Sequence, residues 1–199
     1  MVPAGPAESE SARCLTASSI SPTLKAVRAL EFWKAVTVDR SNLLESLISL
    51  LGQHGIRYCV IDGQAVNAYV EPVVTLDLDL VVAAHQIELV ETLLKDHFQV
   101  ERFPYTINVS MPGSNLRVQI QTDPLYFSFV DRASEREILG LMLPVASAED
   151  VLQGKVWAVM EPKRRASKRQ KDLADIARLI EAYPELRQQV PAEILERLL

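Results

Sequence analysis

Two periodicities of apolar residues divide the chain into short strands and amphipathic helices. The helical period predicts helices over residues 41–55, 64–70, 85–98, 147–160, 167–183 and 191–199. Apolar runs bounded by turn residues predict strands over 57–62, 75–83, 99–106, 107–113 and 115–123, with a hairpin or edge strand over 136–145. These elements predict an α/β (α+β) fold, in which helices flank a small mixed β-sheet and a helical part closes the chain.

The two ends of the chain differ from its middle. Residues 1–20 are rich in Ser, Ala, Pro and Glu, which predicts a flexible tail. Residues 21–36 read as a helix with Ser21 as N-cap. We therefore expect an α/β core with an N-terminal helix over 21–145 and a C-terminal helical subdomain over 146–199.

Composition and charge narrow the functional classes. Of the 199 residues, 48% are hydrophobic, as in a globular core, and neither a membrane span nor a signal peptide is expected. Cys14 and Cys59 do not make a disulfide framework, so a cytoplasmic setting is expected. The net charge of −5 argues against a broad nucleic-acid surface, although Lys163–Lys171 holds six basic residues in nine. That run is either a solvated face or a surface for a polyanion.

Two aspartates interrupt the apolar run over 75–83. Asp77 and Asp79 are one residue apart, so on a strand both side chains point to the same face. Two neighbouring carboxylates repel each other, and a hard divalent cation such as Mg²⁺ (or Mn²⁺) relieves that repulsion. A metal held in this way can align the oxygens of a phosphoryl or nucleotidyl transfer. The alternative is a pair of solvated aspartates on an edge strand.

A glycine upstream of the pair adds a second feature. Gly63 follows a predicted strand and opens a predicted helix, where backbone N–H groups can face a phosphate. Fourteen residues later the chain returns as the strand that carries Asp77. The unit therefore combines a candidate phosphate site with a candidate metal site.

The stretch "DGQAVNAYVEPVVTLDLDLVV" resembles the signature of the nucleotidyltransferase superfamily, which has the DNA polymerase β-like fold. It is most similar to small AbiEii-like toxins of type IV toxin–antitoxin systems, whose pattern is G-G-x-A-x followed by R-x-T-x-D-x-D. The resemblance implies a nucleotidyltransferase-like sheet, a metal site at Asp77 and Asp79, and nucleotide contacts from the glycine segment. The residues that it marks for nucleotide binding are Gly63, Gln64 and Thr75, and Ala65 matches the alanine of the pattern.

A second segment, near the C-terminus, resembles the same family. Residues 145–179 are similar to a helix that carries a lysine, followed by R-x-K-D-x-x-D. The resemblance gives Lys155 a role toward nucleotide phosphates and marks Asp172 as a catalytic residue. From its position among apolar residues, Lys155 is either such a cation or a lysine whose stem is buried and whose charge reaches solvent. Asp175 lies further round its helix, and we expect it to be solvated or salt-bridged.

Three positions depart from the family pattern. Asp62 stands at the first glycine, Val73 at the arginine, and Gln119 at the expected third carboxylate. An amide cannot act as a general base, and Asp123 is the only nearby carboxylate. These changes weaken the expectation of catalysis more than that of the fold.

Three hypotheses for the function follow. The first is a Mg²⁺-dependent enzyme that transfers NMP from an NTP to a hydroxyl of tRNA, of a protein or of a small molecule. Lys163–Lys171 would bind a polyanionic acceptor, and an antitoxin protein is an implied partner if the chain is a toxin. The second is a degenerate relative that binds a nucleotide or a partner without catalysis. A purely structural domain is the third reading.

Overall fold

The computed structural model describes residue 31 and residues 42–198. Six α-helices lie in this part of the chain: α1 (Leu43–Gln53), α2 (Asp62–Asn67), α3 (Ile87–His97), α4 (Ala148–Met160), α5 (Ala166–Ala182) and α6 (Ala192–Leu195). Seven strands accompany them: β1 (Tyr58–Ile61), β2 (Asp77–Val82), β3 (Gln99–Arg102), β4 (Thr106–Ser110), β5 (Arg117–Gln121), β6 (Ser134–Ile138) and β7 (Leu141–Val145). Short 3₁₀ helices span Ala84–Gln86, Pro124–Arg132 and Pro184–Gln189.

The seven strands form one mixed sheet in the order β3-β4-β5-β2-β1-β7-β6. β2 is therefore the middle strand, antiparallel to β1 on one side and parallel to β5 on the other. β7 pairs with β1 in parallel, and the outer pairs β3–β4 and β6–β7 are antiparallel. A parallel neighbour on one side and an antiparallel one on the other are typical of a mixed sheet.

The helices of the C-terminal part pack against α2, which lies on β1 and β2 of the sheet. β7 leads into α4, whose N-cap is Ser147, and the Ser147 hydroxyl accepts a hydrogen bond from the Asp150 backbone N–H at 3.2 Å, as the capping pattern predicts. α4 and α5 pack along each other, and α2 contacts both. Buried apolar residues from α1, the sheet, α4 and α5 form one continuous core.

The predicted fold class is confirmed, and the element positions agree with the periodicity to within a few residues. The hairpin expected over 136–145 is β6–β7, in which only β6 lies at the sheet edge. Cys59 is buried in β1. The predictions for Cys14 and the tail fall outside the described residues, as does the helix over 21–36 apart from residue 31. Within residues 42–198, no helix has the length and apolar character to span a membrane. The proposed domain division stays a prediction.

Candidate active site

A cavity of about 340 Å³ lies over the middle of the sheet, between β2, α2 and the helices α4 and α5. It brings together side chains from positions 61–172, which are far apart in the sequence. The predicted site residues that line it are Gly63, Thr75, Asp77, Asp79, Lys155 and Asp172.

The two aspartates of β2 point into this cavity from the central strand. Leu78 and Leu80, on the opposite face of β2, are fully buried in the core. The alternation of β2 therefore directs one face to the hydrophobic core and the other to the cavity. Asp79 lies opposite Ile61 of β1 and Gln119 of β5, so its carboxylate has no cationic neighbour across either strand.

The charge of this pair is poorly compensated. Among the described residues, neither Asp77 nor Asp79 has a basic side chain within ion-pair distance. Burial, with the nearby carboxylates of Asp62 and Asp77, raises the pKa of Asp79 to about 8, and the more distant Lys155 and Lys168 only partly oppose this rise. A cation bound next to Asp79 would favour the ionised form of this carboxylate.

Lys155 has the opposite environment. Its ammonium lies 3.1 Å from Asp172 Oδ1 and 2.9 Å from Asp175 Oδ2, and it also donates a hydrogen bond to Asp62 Oδ1. Burial alone would lower the pKa of Lys155, but the three carboxylates outweigh it and raise that pKa above its ordinary value. The side chain is 3% exposed, so this lysine does not extend its charge to solvent.

Two arginines complete the charge balance around Lys155. The Arg164 guanidinium donates from Nε to Asp172 Oδ2 at 2.9 Å, and its Nη2 forms an ion pair with the same oxygen at 2.7 Å. Arg178 Nη1 donates to Asp175 Oδ1 at 2.9 Å. Asp172 and Asp175 are both buried. Asp175 was expected to be either solvated or salt-bridged, and it is salt-bridged. A buried ion pair is most favourable when its remaining polar atoms also have partners. In this cluster Asp175 Oδ2 is buried without a hydrogen bond, and only the Lys155 charge, 2.9 Å away, balances it.

Asp62 directly follows β1, as the first residue of α2, and has an unusual conformation. Its φ angle is 57°, in the left-handed region where glycine is favoured and Asp is tolerated better than most residues. Burial would raise the pKa of Asp62, but the Lys155 ammonium, with Lys171 and Arg164 nearby, holds it below its ordinary value. The side chain remains 37% exposed to the cavity.

The glycine segment faces the loop before β2. A Cβ atom built on Gly63 would lie 3.5 Å from Lys171 Nζ and 3.6 Å from Thr75 Oγ1, so both groups lie against the Gly63 backbone. Lys171 Nζ is also 3.5 Å from Thr75 Oγ1. Gln64 is buried and donates from Nε2 to the Thr75 carbonyl at 3.3 Å, and it is not among the residues that line the cavity. This hydrogen bond connects α2 to the loop before β2.

The position of Val73 is fixed by a different residue. Asn67 Nδ2 donates to the Val73 carbonyl at 2.8 Å, and the Val73 N–H donates to Asn67 Oδ1 at 2.9 Å. Val73 is 53% exposed and lies outside the cavity lining. The loop is therefore held by Asn67 and by Arg178, which donates to the Glu71 carbonyl, without an arginine at position 73.

Gln119 shares the cavity with the aspartates, as the alternation of β5 predicts. Gln119 and Gln121 line the cavity, while Val118 and Ile120 are buried on the other face. Asp123 instead caps the 3₁₀ helix Pro124–Arg132, since its Oδ1 accepts from the Leu125 N–H at 3.0 Å. Asp123 does not line the cavity.

Basic residues enter the cavity from the start of α5 and the turn before it. Arg164, Lys168 and Lys171 line the cavity, whereas Lys163 and Arg165 are exposed outside it. The helical period explains why these lysines reach the cavity. Lys168 and Lys171 are one turn apart in α5, and they lie on the same side of the helix as Asp172 and Asp175. The basic run is therefore divided between the cavity and the outer surface.

An aromatic wall was not predicted from the sequence. Tyr126 lines the cavity, and its ring packs edge-on against Phe129 and Trp157, with centroids 5.3 and 5.4 Å apart. Gly154 allows this approach, since a Cβ there would lie 3.4 Å from the Tyr126 ring. Burial and the carboxylates of Asp62 and Asp123 raise the pKa of Tyr126 to about 12. The aromatic content of the run "PLYFSF" is a signal in the sequence that could have indicated this wall.

Two acidic groups could be considered for a metal ion, and they differ in charge balance. Asp62, Asp172 and Asp175 bring carboxylate oxygens within 4.8 Å of one another, but the Lys155 ammonium already contacts all three. Asp77 and Asp79 have no such cation, and the amide of Gln119 lies beside them. The oxygen donors and the raised pKa of Asp79 make this pair the better fit for a hard divalent cation.

The sequence matches the model of the family described as "Nucleotidyl transferase AbiEii toxin, Type IV TA system" over residues 64–198. The chain belongs to the AbiEii family. The match includes Thr75, Asp77, Asp79, Lys155 and Asp172, and it begins one residue after Gly63. The predicted resemblance is confirmed, and nucleotidyl transfer is the activity of this family. No sequence of a curated protein matches the chain.

Solved structures of nucleotidyltransferases show a weaker similarity. The antibiotic-resistance factor ANT(2'')-Ia is 15% identical, with 78% of this chain and 86% of that chain covered and a TM-score of 0.49. The lincosamide adenylyltransferase LnuA, with lincomycin bound, is also 15% identical, with coverages of 68% and 95% and a TM-score of 0.49. A nucleotidyltransferase-like protein from Paracoccidioides brasiliensis is 21% identical, with both coverages at 76% and a TM-score of 0.47. Membership of the AbiEii family rests on the sequence match.

Proposed function

We propose that this chain is a Mg²⁺- or Mn²⁺-dependent nucleotidyltransferase that moves NMP from an NTP onto a hydroxyl group. The observation that carries the proposal is the uncompensated carboxylate pair, Asp77 and Asp79, in a cavity that also holds Gly63 and lysine side chains. Membership of the AbiEii family supports the reaction class. Asp77 and Asp79 would hold the ion, which supplies charge neutralisation and alignment of the attacking and leaving oxygens when bound.

In the proposed reaction, the acceptor hydroxyl oxygen bonds to the α-phosphorus of the NTP. The bond from that phosphorus to the oxygen that bridges the α- and β-phosphates breaks, and pyrophosphate leaves. The hydroxyl proton passes to water in the open cleft, because the Gln119 amide cannot accept it. Lacking a positioned base, the chain should transfer NMP slowly.

The acceptor is proposed from charge. The exposed part of Lys163–Lys171 would bind a polyanion such as tRNA next to the cavity. A protein side chain or a small molecule is the other class of acceptor. A toxin role, with an antitoxin protein as partner, is proposed from the family description.

A second candidate function is nucleotide binding without transfer. Gln119 favours it, since this amide points into the cavity beside Asp79, where the family pattern has its third carboxylate. In that case the cleft would bind one metal–nucleotide complex, and the biological output would come from a partner.

The test uses each NTP labelled at the α-phosphate, with Mg²⁺ and total cellular RNA, and compares wild type with Asp77→Asn. Label transfer by wild type that is lost in the variant would support the enzyme. Mg²⁺-dependent NTP binding without transfer would support the second function. Absence of Mg²⁺-dependent binding of every NTP would contradict both.

A further inference from the structure

The cations around the cavity fall into two sets that differ in what neutralises them. Lys155, Arg164 and Arg178 carry three positive charges, and Asp62, Asp172 and Asp175 carry three negative charges. The six groups contact one another directly, so this cluster has no net charge to offer a ligand.

Asp62 is the carboxylate that balances the positive charge of Lys155. Asp172 and Asp175 each have an arginine of their own, so Asp62 is the carboxylate that brings the cluster to neutrality. Asp62 has no second basic side chain within ion-pair distance among residues 42–198. It stands where the family pattern has a glycine, which could not supply this charge.

Lys168 and Lys171 form the second set. Both are exposed and line the cavity, and neither has a carboxylate within ion-pair distance in the described part of the chain. Lys171 Nζ lies against the Gly63 backbone and 3.5 Å from Thr75 Oγ1, in the cavity that the carboxylates of β2 also line. These two ammonium groups are the cations that a polyanionic group entering the cavity would meet without displacing a carboxylate.

We propose that Lys171 and Lys168 bind the triphosphate of the nucleotide, and that Asp62 withholds Lys155 from this role. The inference rests on the proposed function, since it assumes that the cavity takes an NTP. It also divides the basic run, because Lys168 and Lys171 serve the nucleotide and the exposed Lys163 and Arg165 remain for an acceptor. The recognised chemistry is a polyphosphate, so an NTP is preferred to the corresponding NMP.

The experiment measures NTP and NMP affinities by calorimetry with Mg²⁺ at low salt. Lys171→Gln should lower NTP affinity roughly tenfold, as expected for one charge-assisted contact, and leave NMP affinity nearly unchanged. Lys168→Gln should act in the same direction with a smaller loss. Lys95→Gln, the same change on an exposed lysine of α3, is the matched control, and Lys163→Gln should also leave NTP affinity unchanged.

A second variant tests the part assigned to Asp62. Asp62→Asn keeps a residue that tolerates the left-handed conformation but removes the charge that balances Lys155. NTP affinity should rise, and Lys171→Gln should cost less in this background because Lys155 becomes available to the phosphates. A thermal melt of each variant separates these effects from loss of folded protein.

The outcomes separate this inference from the proposed function. Wild-type NTP binding that survives Lys171→Gln and Lys168→Gln unchanged would overturn the inference and leave the proposed function standing. A fall in NTP affinity in Asp62→Asn would overturn the role of Asp62, since that carboxylate would then assist binding. Failure of wild type to bind any NTP would overturn both.

Discussion

The cavity contains two groups of carboxylates that differ in what balances their charge. Asp172 and Asp175 are buried, and each contacts Lys155 and one arginine. Asp77 and Asp79 are half-buried and have no basic partner within ion-pair distance among the described residues. The first group is complete as it stands, which is the condition for a stabilising structural cluster. The second remains incomplete without a cation, which is the condition for a binding site.

The largest expected effect comes from breaking the complete group. Lys155→Met should lower the free energy of unfolding by about 3–5 kcal/mol, because it leaves buried carboxylates without their shared cation. Urea unfolding measures this change. Lys171→Met, on the exposed side of the same cavity, should stay within about 0.5 kcal/mol of wild type. The double variant Lys155→Met/Asp62→Asn should recover part of the loss, and a loss below about 1 kcal/mol in Lys155→Met would show that the cluster is not structural.

Neutralising Asp79 in the incomplete group should raise the free energy of unfolding, and the size of this effect should depend on pH. The pKa of Asp79 is raised to about 8, so between about pH 4 and pH 8 the folded protein holds a proton that the unfolded chain has lost. The free energy of unfolding therefore falls as pH rises through this window. Asp79→Asn removes the effect and should stabilise the metal-free protein by roughly 2 kcal/mol at pH 8.5, with little change at pH 4.

Urea unfolding at the two pH values, with a chelator present, checks this prediction. Asp172→Asn is the matched control from the complete group and should destabilise the protein at both pH values. Equal destabilisation by Asp79→Asn and Asp172→Asn would remove the distinction between the two groups.

Adding a carboxylate beside the incomplete group should increase transfer. Gln119→Asp places a potential base or second-metal ligand opposite Asp79, and we expect any NMP transfer activity to rise by roughly tenfold or more. Gln121→Asp, on the same face of β5 and one pleat away, is the control for added negative charge. Robust wild-type turnover that drops in Gln119→Asp would show that another carboxylate already supplies this function.

The smallest expected effect concerns the surface outside both groups. Lys163→Gln combined with Arg165→Gln should lower the affinity for tRNA by a few-fold at low salt and reduce its salt dependence, while NTP affinity is unchanged. Filter binding at several salt concentrations measures this effect. A salt dependence equal to that of wild type would indicate that a polyanionic acceptor binds elsewhere.

Much of this architecture follows from local patterns in the sequence. The period of 3.6 and the alternation of two predict the main helices and strands, and the pairing of Asp77 with Asp79 on one face needs only the geometry of a strand. The 3₁₀ helix Pro124–Arg132 was not predicted from the sequence. With it, the Tyr126 wall of the cavity was missed as well.

The charge balance of the site could not be read from the sequence, because it depends on contacts between distant residues. The residues next to Asp62 in the sequence suggest only a negative charge beside a phosphate-binding loop. Its ion-pair partner, Lys155, lies 93 positions away. In the sequence Lys155 looks like a cation for phosphates, and only the packing of α4, α5 and the start of α2 shows three carboxylates around it. The basic run likewise divides into cavity and surface residues only once α5 is positioned.

The central claim is that Asp77 and Asp79 form the metal site through which this cavity binds a nucleotide. Calorimetric titration of wild type and Asp77→Asn with an NTP, in Mg²⁺ and in chelator, tests it most directly. Wild type should bind the NTP roughly tenfold or more tightly with Mg²⁺, and Asp77→Asn should lose that dependence while its fold is as stable as wild type or more so. Mg²⁺-dependent affinity that is unchanged in Asp77→Asn would contradict the account.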